Sequence, residues 1–178
     1  MTLSKVRVSL SWLAVSASLL FLFLGGALFG AAAQSDEGAG VVVSGQATSA
    51  DLGLPIYPGA KPFKEANNDS DSGRVGIWGV GFGFKVAAMK MESNDSVAKV
   101  GEFYRKALSK YGQVLDCTNG GQGQDDSPKA LTCEGDKPGK SGGMLFKSGT
   151  KKHFHLVAVD PQGQGSTFSL VYISIKGD

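Results

Sequence analysis

The sequence predicts an α+β domain: a mostly antiparallel sheet of about five or six strands, with one long amphipathic helix packed across it. Three observations carry this expectation. Apolar residues after position 74 alternate with period two over several short runs, which is the mark of strands. One segment, 96–111, repeats its apolar residues every three or four positions instead, which is the mark of a helix. The runs after it are separated by turn residues and by no second helix, so the strands should follow one another as a meander.

Taken in order, Pro55-Ile56-Tyr57-Pro58-Gly59-Ala60 is an apolar stretch broken by two prolines, which have no place in a central strand. It should be an extended segment along an edge, anchored by Ile56 and Tyr57. The run 65–73 is a polar loop; it lacks the alternating acidic order and the distant Glu of a calcium loop. From 74 to 92, Phe82, Phe84, Val86, Ala88 and Lys90 share one side, and Gly83, Lys85, Ala87, Met89 and Met91 the other. Gly76, Gly79, Gly81 and Gly83 lead into more strand and not into a helix N-terminus, so they do not form a phosphate cradle. Helix 96–111 should be capped by Asp95, bury Val97, Val100, Tyr104, Ala107, Leu108 and Tyr111, and finish at Gly112. Strands are then expected at 113–118, 130–134, 144–148, 153–160 and 167–176. The last carries Val171, Ile173 and Ile175 on one face and Phe168, Leu170 and Tyr172 on the other, which suits a central strand.

The N-terminus reads as an export signal. Lys5 and Arg7 precede an uncharged run from Val8, densest at Leu19–Leu24, and Ala31-Ala32-Ala33 supplies the small residues of a cleavage site. The rival reading is a membrane anchor over residues 8–30, a span of 23 where about 20 apolar residues are needed. Ser9, Ser11, Ser16 and Ser18 dilute that run and favour the signal. The expected organisation is therefore a signal peptide (or anchor) over 1–33, a flexible linker over 34–51 rich in Ser, Gly, Ala and Asp, and one domain over 52–178.

Of 178 residues, 145 follow Ala33, enough for one domain with its own core. The formal net charge of +2 falls to zero once Lys5 and Arg7 leave with the signal. A nucleic-acid or acidic-lipid surface needs concentrated positive charge. The one short cluster, Lys147, Lys151 and Lys152, reads as a hairpin kept soluble, so nucleic acid is not an expected partner and membrane contact is expected only through an uncleaved N-terminal segment. The two cysteines, Cys117 and Cys133, should pair outside the cytoplasm and close a 15-residue loop, worth about 3 kcal/mol. No C-x-x-C is present to suggest redox exchange.

Pro55–Ala60, the polar step Ser93-Asn94-Asp95-Ser96, and Val100-x-x-Phe103-Tyr104 together resemble a loosely defined group of bacterial exported domains that opens with P-x-Y-P-G-A and carries a V-x-x-F-Y helix. The likeness spans 54–111. It implies a single-helix, mostly antiparallel fold and brings no activity, catalytic residue or cofactor with it.

Among constellations that carry chemistry, His153-Phe154-His155 is the best candidate, because two imidazoles two residues apart on a strand point the same way. Two ligands do not make a metal site, and a solvent-facing pair is the plainer reading. No G-x-S-x-G elbow accompanies the many serines. The sequence thus reads as an exported, periplasmic or extracellular, non-enzymatic domain that binds an envelope protein or a small ligand, with no cofactor. The alternative is a hydrolase or metal-binding protein with its site around His153 and His155. A pocket enclosing His153 and His155 with a carboxylate would favour the enzyme, and a flat, exposed apolar face with scattered polar residues would favour binding.

Overall fold

A computed structural model describes residues 39–64, 71–120 and 130–177. The signal or anchor at 1–33, most of the polar loop and the Gly-rich tip beyond residue 120 lie outside those residues. In chain order the elements are β1 (Gly40–Ser44), α1 (Ser49–Leu52), β2 (Lys61–Pro62), β3 (Ser72–Gly79) and β4 (Phe82–Ser93), then α2 (Val97–Leu108) with a 3-10 turn at Ser109–Tyr111, β5 (Val114–Asp116), β6 (Met144–Thr150), β7 (His153–Gln162) and β8 (Gly165–Lys176). The strands join in one antiparallel sheet ordered β1-β3-β4-β8-β7-β6-β5, with β2 added beside β4. The α+β reading stands at that level, but eight strands replace the expected five or six among the described residues.

Three differences account for the count and the boundaries. Part of the expected 34–51 linker is ordered: β1 pairs with Arg74 to Trp78 of β3, and Thr48 and Asp51 cap α1 reciprocally. A five-residue strand takes its stability from its partner and not from a repeat of its own, so composition alone concealed it. The alternation over 74–92 is two strands folded back at Gly81, whose φ of 77° suits glycine in a tight turn. The expected strand at 130–134 is absent; Leu131 and Cys133 are buried without strand pairing, and Cys133 is held by its disulfide.

The core forms where α2 crosses the sheet. Three cross-strand rows face it: Ala87–Tyr172–His155–Ser148, Met89–Leu170–Val157–Phe146 and Met91–Phe168–Val159–Met144. From the helix, Val100, Gly101, Tyr104 and Leu108 are buried against them. A glycine inside a helix costs about 1 kcal/mol relative to alanine. Gly101 is explained by packing, because a Cβ there would come within 2.7 Å of the Met144 sulfur. Ser96, and not Asp95, caps α2; Asp95 instead accepts from the Tyr57 hydroxyl at 2.7 Å and from Lys99 at 2.9 Å. Tyr57 is the buried anchor of the proline segment, packed edge-on to Phe103 and Phe168, while Ile56 stays exposed. The Tyr104 hydroxyl accepts from the Tyr57 N–H at 3.1 Å and donates to the Pro55 carbonyl at 3.2 Å.

Among the described residues, the opposite face is covered only near β5, β6 and β7. There the Cys117–Cys133 disulfide packs on Leu145, with Leu115, Leu156 and Ala158 around it. Lys147 donates to Asp136 and to the Thr132 carbonyl, which ties the loop carrying Cys133 to the sheet. Lys147 is therefore a half-hidden strut and not one of three solubilising charges.

Candidate binding surface

The alternation of β7 sets both histidines on the helix side, in successive cross-strand rows, but in different surroundings. His155 is buried, stacked between Tyr111 at a centroid distance of 3.7 Å and Tyr172 at 4.8 Å. Burial drives its pKa down to about 4; a hydrogen bond to the Leu52 backbone pulls the other way, and Lys110 adds to the lowering. Its Nδ1 is buried with no hydrogen-bond partner among the described residues. His153 is exposed, with Nδ1 2.9 Å from the Ser174 hydroxyl. The expectation of a solvent-facing pair therefore fails at His155, because the helix and its 3-10 extension bring Tyr111 over that part of the sheet. Among the described residues no three His, Cys, Asp or Glu side chains come together as a metal-sized group.

A cavity of about 270 Å³ does bring His155 near a carboxylate, Asp51, with Tyr111 and Tyr172. Both oxygens of Asp51 are engaged elsewhere. Oδ2 accepts from the Thr48 hydroxyl at 2.8 Å and from its N–H at 3.0 Å, while Oδ1 meets Arg74 at 2.9 Å and Lys85 at 3.7 Å. The Thr48 and Arg74 contacts hold its pKa at about 2. A carboxylate so engaged orients a helix start and two cations. It is not placed to orient the imidazole of a proton-transfer pair, which needs a direct hydrogen bond.

The more prominent surface lies at the other end of the sheet. Apart from Ile56, every large exposed apolar side chain among the described residues belongs to β1, β3, the turn after it, the start of β4 or the end of β8. On the face away from α2, six of them join the half-buried Val86, Ile173 and Phe154 in two rows across the strands. Val41, Ile77, Phe84 and Ile175 form one; Val43, Val75, Val86, Ile173 and Phe154 form the other. Val43 is 74% exposed and Phe84 40%. Strand pairing builds this surface from side chains up to 134 residues apart in the chain, as Val41 and Ile175 are. The alternation sets of β4 and β8 were legible in the sequence, but which set meets a second layer was not.

No helix among the described residues is long and apolar enough to cross a membrane. No protein-family model matches the chain, and no curated protein or solved structure is similar to it.

Proposed function

We propose that the chain is an exported, non-enzymatic domain that holds a protein partner of the cell envelope against the uncovered end of its sheet. The observation that supports this is the pair of apolar rows on β1, β3, β4 and β8, solvent-facing and contiguous. Apolar area of this extent on one face of a domain marks a surface that is covered in use. Export is supported by the basic, apolar and small-residue order of the N-terminus and by the Cys117–Cys133 pair, since disulfides persist in oxidising compartments. The resemblance to exported P-x-Y-P-G-A domains points the same way.

A photo-crosslinking residue in place of Ile77 should capture a discrete partner in cells, and one in place of Lys106, on the outer side of α2, should not. Val43→Lys and Ile77→Lys should abolish a crosslink placed at Phe84 while leaving the melting temperature unchanged. Equal capture from positions 77 and 106, or none from any position in the two rows, rejects the proposal. The alternative of a hydrolase or metal protein rests on the cavity beside His155; stoichiometric zinc or copper in untagged protein would revive it.

A further inference from the structure

On the helix-side face of the same uncovered end the surface has a different chemistry. A groove of about 370 Å³ runs over β1, β3, β4 and β8, with Asp51 of α1 at one side and no residue of α2 in its lining. Its floor lacks two side chains. Gly76 pairs with Lys85 and Gly83 with Trp78, so the two glycines are diagonal neighbours and leave a bare strip of backbone between an indole and an ammonium. The Trp78 ring rests on Gly40, where a Cβ would come within 2.4 Å of it, and this close seat leaves the strip beside the ring open.

Neither conformation nor crowding requires glycine in that floor. Neither Gly76 nor Gly83 has a positive φ. A Cβ on Gly76 would find nothing nearer than 3.9 Å, and one on Gly83 only ordinary contact with Lys176 at 3.5 Å. Glycine in a strand interior weakens the strand, and where nothing local demands it, close approach of another molecule to the backbone is the remaining use. The walls indicate what kind of molecule. Val42 and Trp78 supply apolar contact, and Arg74, Lys85 and Lys176 face a single carboxylate, Asp51. Asp51 is engaged with Arg74 and Lys85, so the groove keeps an excess of positive charge.

We infer that this groove binds an amphipathic anion, its apolar body lying on the glycine strip beside Trp78 and its terminal carboxylate met by Lys85 and Lys176. Three strand spacings of about 4.8 Å separate Val42 from Lys176, which gives a track of roughly 14 Å. Acyl and aromatic carboxylates share this chemistry and are told apart by measurement. Val75, Ile77 and Phe84 of the apolar rows also line the groove, so the two assignments are told apart by Lys176→Gln, which leaves the rows intact, and Val43→Lys, which lies outside the groove lining.

Decanoate and 2-naphthoate are to be titrated into the full-length chain while the Trp78 indole N–H is followed by NMR. At least one should shift that signal saturably, with decylammonium binding at least tenfold more weakly than decanoate if the acyl body is the one accepted. Decanoate alone identifies an acyl ligand and 2-naphthoate alone an aromatic one. Gly76→Ala, whose Cβ would meet nothing nearer than 3.9 Å, narrows the strip and should weaken binding severalfold at an unchanged melting temperature. Lys176→Gln, which leaves the floor intact, should weaken it severalfold. The inference is overturned if neither anion binds, if both variants bind like the parent, or if the ammonium binds as well as the carboxylate.

Discussion

At the β5–β7 end of the sheet both faces are covered: α2 lies over Phe146 and Val157, and the disulfide with its tethered loop lies over Leu145. At the β1–β3 end, Ile77 and Phe84 occupy equally regular alternation positions with no second layer above them among the described residues, and Val42 and Trp78 are exposed on the other side. Similar residues on one continuous sheet therefore serve two purposes. Where a helix or a crosslinked loop reaches, an apolar row is core and contributes stability. Where neither reaches, the same kind of row contributes little to the fold and is free to meet something else. The reach of α2, which ends with its 3-10 turn at Tyr111 beside His155, sets the border.

The largest expected contrast is between two phenylalanines. Phe146→Ala should destabilise the chain by about 3–5 kcal/mol in urea unfolding, as for a fully buried ring, whereas Phe84→Ala should change stability by less than about 1 kcal/mol. Similar losses at both would mean that the uncovered end is held as firmly as the core. Next, replacing Cys117 and Cys133 together by alanine should lower stability by about 3 kcal/mol, with the exposed rows unaffected in hydrogen exchange. A drop in protection spreading to β1 and β3 would show the two ends to be one cooperative unit.

The smallest effect is pH-dependent and belongs to the border itself. His155 titrates near 4 in the fold against 6.5 when exposed, so its folded pKa is depressed and the unfolded chain binds the proton more readily. Its contribution is complete above pH 6.5 and lost as pH falls toward 4, about 2 kcal/mol being gone by pH 5. Stability measured at pH 7 and pH 5 should differ by that amount in the parent and by clearly less in His155→Leu; an unchanged pH difference in the variant would place the titrating group elsewhere. Asp51, with its pKa held at about 2, keeps its charge throughout this window and contributes to acid loss only at lower pH.

Much of the covered end was legible in sequence. The helix stripe, the strands around 144–148, 153–160 and 167–176, and the central place of the last strand follow from periodicity, because each contributes enough residues to show its period. β1 and α1 are too short to do so, and 130–134 imitates a strand because Leu131 and Cys133 alternate as buried residues without pairing. The glycine run before Lys85 was visible as a pattern, but its geometry was not. A groove made by missing side chains emerges only when register sets Gly76 beside Lys85 and Trp78 beside Gly83. His153 and His155 were placed on one face by alternation, yet their unlike environments depend on Tyr111 arriving from a helix 44 residues earlier in the chain.

The doubly bonded Tyr104 hydroxyl has a mechanical corollary. The stretch between the two prolines has no strand beside it at Pro55 and Tyr57, and there a single phenol on α2 serves as surrogate partner for both backbone groups. Lifting the helix off the sheet therefore also unfastens that stretch, and peeling the stretch away deprives a buried phenol of its company. Departure of the one entails departure of the other, so the two behave as a single hinged leaf.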